Sequence, residues 1–179
     1  MTRWLTVLPL VVLAALGLLF GVFALHHDPH VEPHALVGKP MPDVTLPSLD
    51  DGRLVKVREL AKSGPVVVNF FASWCAPCAM EAPELMKMKA NGVRIVGVAY
   101  EDAPPKGSHA DTEAFLNRLG DPFALRLADD DGRAGIEFGV TGVPETYLVS
   151  PSGMVLAKHT GPLEDTDAQA LATQALTLR

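Results

Sequence analysis

The stretch 66–81 limits the possible folds of this chain more than any other part of its sequence. It opens with the run Val66–Phe71, in which Asn69 is the one polar residue, and then reaches Cys75 and Cys78, the only two cysteines among the 179 residues. A run without polar alternation is typical of a central strand that is covered on both faces. Residues 76–90, which begin directly after Cys75, carry a helical pattern. A strand that leads into Cys-x-x-Cys and a helix indicates a thiol–disulfide redox site.

The two cysteines are predicted to have different roles. A thiolate is the nucleophile in disulfide exchange, and the free N–H groups and positive dipole end of a helix start lower a thiol pKa. Cys75 is therefore expected to be the exposed, attacking thiol next to Trp74, and Cys78 to lie deeper and resolve the mixed disulfide. A structural disulfide would close only a small loop. A zinc site needs more ligands than one cysteine pair supplies.

Two polar side chains accompany the cysteines. Asn69 occupies an inward position of the strand and cannot take up a proton, so it is interpreted as a hydrogen-bonded polar residue of the core. Glu81 follows Cys78 by one turn on the same side of the helix. Glu81 is a candidate for moving a proton to or from Cys78. The alternative is that Glu81 compensates the helix dipole in the first turn.

A second motif, residues 139–146, places a proline at the start of a strand after a Gly-rich loop. Such a proline often follows a cis peptide bond in a tight turn, so Pro144 is predicted to be cis. Because proline has no N–H, the neighbouring backbone is free to pair with an extended peptide. Val143, Pro144 and Glu145 are therefore predicted to bind substrate together with Trp74. The alternatives are an ordinary loop and, for Glu145, a surface charge.

The first 25 residues differ in composition from the rest. Residues 4–25 are almost entirely apolar, and Arg3 is the single charged side chain before His26. About 20 apolar residues cross a bilayer as a helix, and a positive N-terminal flank leaves the following domain outside the cytoplasm. Residues 1–25 are therefore predicted to be a transmembrane anchor, with a cleaved signal peptide as the alternative.

Residues 26–37 are predicted to be a tether between this anchor and a domain over 38–179. The histidines at 26, 27, 30 and 34 lie in this segment, and we interpret them as part of a polar, Pro-interrupted linker rather than as a metal site. The chain carries 15 Lys and Arg against 21 Asp and Glu. An acidic domain without a basic block is a poor candidate for binding nucleic acid.

The remaining domain alternates strand and helix signals. Residues 93–99 are predicted to pair in parallel with the first strand through a right-handed crossover, and Asp111 is predicted to cap the next helix. The acidic turn 129–132 lacks the bidentate Glu of a calcium loop, so a solvated turn is preferred. The other predicted elements are a β unit around turn 50–52, helix 111–119, strand 123–127, helix 133–138, hairpin strands 146–149 and 154–159, and helix 163–178.

The motif Trp-Cys-Ala-Pro-Cys after a β run, with Gly-Val-Thr-Gly-Val-Pro-Glu-Thr at 139–146, resembles the membrane-anchored CcmG/DsbE family. The resemblance runs from residue 38 to near the C-terminus. It implies an α/β, thioredoxin-like fold, in which a central mixed sheet is flanked by helices, with an N-terminal β extension and a central insertion after one transmembrane helix. By position it makes Cys75 the nucleophile, Cys78 the resolver and Pro144 the cis-proline, and it matches Glu81 and Glu145 to acidic residues near the family's site.

The resemblance also implies a function. The family consists of periplasmic thiol:disulfide oxidoreductases that act as reductants in cytochrome c maturation. A chain that resembles it is expected to cross the bacterial inner membrane once, with its domain in the periplasm. The implied partners are a membrane thiol–disulfide electron carrier and apocytochrome c or a helper protein, and the redox-active Cys75–Cys78 disulfide serves without a separate cofactor or metal. The rival hypotheses are a general anchored periplasmic disulfide reductase, a copper chaperone of thioredoxin fold, and a binding module with a silent disulfide.

Overall fold

A computed structural model describes residues 3–26 and 36–178, which fall into two units. The first unit contains one helix, α1 (Arg3–His26), of 24 residues. Within the described residues, no helix combines the length and the apolar character that a membrane span requires. Most of the predicted tether, including His27, His30 and His34, lies outside the described residues, so its interpretation stays a prediction.

The second unit contains a two-stranded sheet, a five-stranded sheet and the helices around them. The elements in chain order are β1 (Thr45–Pro47), β2 (Leu54–Lys56), a 3₁₀ helix (Val57–Ser63), β3 (Val66–Phe71), α2 (Ala76–Ala90), β4 (Ile95–Tyr100), α3 (His109–Leu119), β5 (Leu125–Asp129), α4 (Arg133–Phe138), β6 (Glu145–Val149), β7 (Val155–Thr160) and α5 (Asp165–Thr177).

The large sheet has the order β5-β4-β3-β6-β7. Strand β3 pairs in parallel with β4, and β4 with β5, while β6 and β7 add antiparallel strands on the other side. All six residues of β3, including Asn69, are buried, which explains why its sequence does not alternate between apolar and polar residues. The sheet is therefore mixed, as the family resemblance implies, and its central strand leads directly to the cysteines.

The two faces of this sheet are covered by different layers. Helices α2, α3 and α5 cover one face, where the core includes Val67, Phe71, Leu85, Phe115 and Leu171. The small β1–β2 sheet, the 3₁₀ helix and α4 cover the other face, where the core includes Val68, Phe70, Val98, Phe138 and Tyr147. Successive strand residues point to opposite faces of the sheet. The neighbours Glu145 and Thr146 on β6 therefore belong to different layers, and Asn69 of β3 shares the layer of Thr146.

Most predicted elements are present with small shifts at their ends. The bounds of β3, α2 and α4 match the prediction, and Gly92 follows α2 with a positive φ of 87°, as a left-handed cap requires. The cap predicted at Asp111 is wrong. Helix α3 begins earlier, at His109, because the Ser108 hydroxyl accepts a hydrogen bond from the Asp111 N–H and caps it.

The turn after β5 is also only partly as predicted. Asp129, expected in a solvated turn, is 1% exposed. Its carboxylate accepts hydrogen bonds from the N–H groups of Ala134 and Gly135, at 3.0 and 2.8 Å. Asp129 therefore satisfies donors at the start of α4, where orphan N–H groups need acceptors.

Candidate active site

Cys75 and Cys78 form a disulfide at the start of α2, with their Cα atoms 5.3 Å apart. Cys75 is the N-cap residue of the helix, and its Sγ accepts a hydrogen bond of 3.1 Å from the Cys78 N–H. Pro77 lies in the first turn, where a missing N–H costs no helical hydrogen bond. An N–H donor at a helix start is the kind of group that stabilises a thiolate, so the Cys78 N–H is well placed for that role.

Neither cysteine is exposed in this oxidised form, because Cys75 is 4% and Cys78 is 2% accessible. The expectation of an exposed Cys75 is therefore wrong for the disulfide state. The surface beside it is provided by Trp74, which is 43% exposed, and by the exposed Ala76 and Pro77.

The loop before β6 faces the disulfide. The Val143–Pro144 peptide bond is cis, as predicted. The carbonyl oxygen of Val143 lies 3.4 Å from Cys75 Sγ. A disulfide sulfur has no proton to donate, so this is a close contact, and the same spacing suits an S–H donor in the reduced form. Val143 is half-buried and Pro144 is buried.

Glu81 lies on the same face of the sheet as the cysteines and is fully buried. Its Oε1 accepts a 2.8 Å hydrogen bond from the Asn69 amide, and its Oε2 accepts a 3.0 Å bond from the Leu163 N–H. Burial raises the pKa of Glu81 to about 7, against the lowering effect of these two neutral donors. Glu81 lies beyond the first turn of α2, so the dipole-compensation alternative is wrong.

Asn69 is less well satisfied than expected. Its amide N–H₂ group donates to Glu81 and to Thr146 Oγ1, but its buried Oδ1 has no hydrogen-bond partner. A cavity of about 10 Å³ lies beside this amide, and the residues that line it include Asn69, Cys78 and Glu81. That volume is near the lower limit for one water molecule.

Glu145 lies on the opposite face of the sheet and is also fully buried, so the surface-charge alternative is wrong. Its Oε1 accepts bonds from the Thr141 N–H and hydroxyl, at 3.1 and 2.7 Å. Its Oε2 accepts a 2.7 Å bond from the Tyr147 hydroxyl and forms a 3.0 Å ion pair with Lys158, whose side chain is equally buried. The Glu145 side chain therefore holds the loop before Pro144 and does not itself reach the surface.

Sequence reasoning missed one part of the site. Asp102, fully buried, accepts hydrogen bonds from the Ser73 N–H and hydroxyl, at 2.8 and 2.6 Å. Ser73 follows the end of β3 and Asp102 follows the end of β4, and the carboxyl ends of neighbouring parallel strands meet at one edge. The order of the strands predicts that Ser73 and Asp102 lie near each other. The sequence alone does not indicate that the Asp102 side chain is buried and bonds to Ser73.

A copper chaperone would need a histidine positioned at the cysteines, but His109 and His159 have other partners. The Nε2 atom of His109 lies 2.9 Å from Asp130 Oδ1, and that of His159 lies 3.3 Å from the carbonyl oxygen of Pro162. In the part of the chain that the structure describes, no group of three or more His, Cys, Asp or Glu side chains is arranged to hold a metal ion. The Cys75–Cys78 pair supports two-electron exchange with a second disulfide or dithiol.

A Cys-x-x-Cys disulfide at a helix start, with a cis-proline loop beside it and a mixed sheet beneath it, defines a protein thiol:disulfide oxidoreductase of thioredoxin-like fold. Comparisons with known proteins agree. Residues 36–175 match the Redoxin family. The thiol:disulfide interchange protein DsbE of Allochromatium vinosum is 39% identical over 90% of this chain and 84% of its own length. The thiol:disulfide interchange protein HelX of Rhodobacter capsulatus is 38% identical over 92% and 91%.

A crystal structure from Chlorobium tepidum, assigned as a thiol:disulfide interchange protein DsbE, has a TM-score of 0.65 and 29% identity. It covers 79% of this chain and 96% of the neighbour. The structure of MTB dsbF in mixed oxidized and reduced forms has a TM-score of 0.63 and 29% identity, over 74% and 95%. This chain belongs to the Redoxin family and, within it, to the CcmG/DsbE group that includes DsbE and HelX.

Proposed function

We propose that this oxidoreductase is a reductant in cytochrome c maturation, and that its client is the disulfide of apocytochrome c haem-attachment cysteines or of a helper protein. The observation that carries the proposal is the Cys75–Cys78 pair at the start of α2 with the Val143 carbonyl against Cys75. Haem couples to free thiols, and an extracytoplasmic compartment oxidises them. A dedicated dithiol that returns client cysteines to the reduced state answers that need.

The reaction balances in two steps. The Cys75 thiolate attacks one sulfur of the client disulfide, the client S–S bond breaks, and the departing client sulfur takes up a proton. Cys78 then loses its proton and attacks Cys75 Sγ, so the mixed disulfide breaks and the second client sulfur is protonated. The client gains two electrons and two protons, and Cys75–Cys78 becomes the disulfide seen here. A membrane thiol–disulfide electron carrier restores the dithiol by the reverse exchange, and the disulfide serves without a separate cofactor.

Glu81 is proposed to accept the proton that Cys78 loses. Its raised pKa, about 7, suits a group that exchanges protons near neutral pH. The small cavity that both residues line offers space between them. Glu81 has no hydrogen bond to Cys78 in the oxidised form, so the exchange requires the cavity or a shift on reduction.

Client binding is proposed at the surface formed by Trp74 and Val143, with the buried Pro144 and Glu145 supporting it from beneath. An extended client peptide placed along residue 143 brings its cysteine to Cys75, because the Val143 carbonyl already lies beside that sulfur. The apolar N-terminal segment, residues 1–25, is proposed to hold the domain at the periplasmic face of the bacterial inner membrane. Its composition, with Arg3 on the N-terminal flank, supports that placement.

The test uses cysteine variants in cells. Cys78→Ser should accumulate a client mixed disulfide through Cys75, visible on non-reducing gels and cleaved by a reductant, whereas Cys75→Ser should neither trap a client nor reduce a disulfide. The trapped protein identifies the client. Removing the gene should abolish covalent c-type cytochromes, and Cys75→Ser should fail to restore them. Intact cytochromes would instead favour a general disulfide reductase, and activity in Cys75→Ser would contradict the mechanism.

A further inference from the structure

The turn that delivers Cys75 to the helix is held from outside the Cys-x-x-Cys motif. The Cys75 N–H donates to the Ala72 carbonyl at 3.2 Å, which closes a four-residue turn with Ser73 and Trp74 at its centre. Both central residues bond to the segment that follows β4. Ser73 donates twice to Asp102, and the Trp74 indole N–H donates to the Glu101 carbonyl at 3.3 Å.

The segment that makes these contacts has an unusual backbone. Glu101 has a positive φ of 47°, which a non-glycine residue seldom adopts. This conformation follows directly after β4 and precedes the fully buried Asp102. Strained backbone of this kind persists where surrounding contacts fix it, and it concentrates at functional sites.

Both oxygens of the buried Asp102 carboxylate accept hydrogen bonds in this arrangement. Asp102 accepts a third hydrogen bond, of 2.7 Å, from the Thr112 hydroxyl of α3. Gly107 packs so closely that a Cβ at its position would lie 2.0 Å from Asp102 Oδ1 and 3.2 Å from the Ser73 hydroxyl. A side chain at 107 would therefore displace the carboxylate or the serine, so the glycine is required by the close approach.

We propose that Asp102 is a positioning residue for the nucleophile, which fixes the turn 72–75 and thereby keeps Cys75 in the N-cap geometry that stabilises its thiolate. The proposal rests on the redox role of Cys75 and not on the identity of the client. It assigns the segment 101–107 a part in setting Cys75 reactivity, although none of its side chains touches either sulfur in the contacts described.

The test measures Cys75 alone. In a full-length Cys78→Ala background Cys75 is the single thiol, so its alkylation by iodoacetamide as a function of pH reports its thiolate fraction. Ser73→Ala removes one bond to Asp102 without changing charge, and Gly107→Ala displaces the carboxylate, also without changing charge. Each should slow alkylation about three- to tenfold below neutral pH, the effect of losing about one hydrogen bond.

Ser108→Ala is the matched control, because Ser108 caps α3 in the same region but does not bond to Ser73. Its alkylation rate should stay within about twofold of the parent, a difference smaller than one hydrogen bond. An unchanged rate in Ser73→Ala would overturn the proposal, as would equal slowing in Ser108→Ala. Asp102→Asn should also slow alkylation. Faster alkylation there, with no change in Ser73→Ala, would mean that Asp102 acts only through its charge.

Discussion

Glu81 and Glu145 are both completely buried, yet they lie on opposite faces of one sheet and are stabilised differently. Glu81 accepts hydrogen bonds only from neutral donors, the Asn69 amide and the Leu163 N–H, and burial raises its pKa to about 7. Glu145 is paired with the buried Lys158 and accepts three further hydrogen bonds. Burial alone therefore does not set the protonation behaviour of a carboxyl group, because nearby charges and hydrogen-bond donors also contribute.

The two environments suit two roles. Glu81 lines a cavity together with Cys78, where a carboxyl that gains and loses a proton near neutral pH is useful. Glu145, its charge balanced by Lys158, holds Thr141, and Lys158 also donates to the Gly139 carbonyl at 3.0 Å. The loop that carries Val143 towards Cys75 is thus fixed by an ion pair on the face away from the sulfurs.

The largest effect is expected when the ion pair is broken on one side. Lys158→Met leaves Glu145 buried without its cation, which should destabilise the oxidised chain by about 3–5 kcal/mol. Denaturant unfolding measures it. Adding Glu145→Gln to Lys158→Met removes the orphan charge, so the double variant should regain part of the loss. A Lys158→Met stability within about 1 kcal/mol of the parent would mean that the pair is not what stabilises Glu145.

The second prediction concerns the pH dependence of stability. The pKa of Glu81 is about 7 in the folded chain, against an ordinary value of 4.5. Between these values the folded state keeps a proton that the unfolded state has lost, so stability falls as pH rises from 4.5 to 7. The fall attributable to Glu81 should total about 3 kcal/mol.

Glu81→Gln removes this titration while keeping a neutral side chain of similar shape. The Asn69 amide can rotate to accept from the new amide, because its Oδ1 is otherwise unpartnered. The difference in unfolding free energy between parent and Glu81→Gln should therefore change by about 3 kcal/mol between about pH 4 and about pH 9. Parallel stability curves for the two proteins would show that Glu81 does not titrate in this range.

The third prediction places Glu81 in the second chemical step. Glu81→Gln should slow the attack of Cys78 on the mixed disulfide about 100-fold, at the low end of general acid–base effects. Rapid-mixing kinetics with a client disulfide measures this step. The first step, followed in a Cys78→Ala background, serves as the control and should be unaffected, since it does not require the Cys78 proton. Equal slowing of both steps would indicate a structural role for Glu81.

These contrasts show which parts of the molecule the sequence could specify. Strand β3, helix α2 and the β6–β7 hairpin follow from local patterns, since an apolar run, a Pro in a first turn and a Gly-containing turn act within a few residues. The cysteine pair and Pro144 were recognisable for the same reason. The cap of α3 was misplaced because Ser108 and Asp111 are both good capping residues and local sequence does not choose between them.

The environments of the buried acids depend on tertiary pairing. The sequence predicted Glu145 as a substrate-binding residue, with a surface charge as the alternative. Its buried ion pair follows only from the register of β6 and β7, which puts Lys158 opposite Tyr147 on the face that Glu145 shares. The hairpin was predictable, but its register was not, because a β-bulge lies between Leu148 and Val149. Asp102 likewise gains its meaning only from the parallel pairing of β3 with β4.

The smallest expected effects test whether the two faces are independent. Thr146 and Tyr147 are neighbours on β6, yet Thr146 bonds to Asn69 on the Glu81 face and Tyr147 to Glu145 on the other. Thr146→Val and Tyr147→Phe should each cost about 1–2 kcal/mol, as expected when a buried hydroxyl loses its hydrogen bonding. The Tyr147 hydroxyl also lies 3.1 Å from the Phe138 carbonyl oxygen. Because the two hydroxyls share no partner, the double variant should cost the sum within about 0.5 kcal/mol. A larger coupling in denaturant unfolding would mean that the sheet transmits the state of one buried glutamate to the other, and that the loop at Val143 responds to the proton on Glu81.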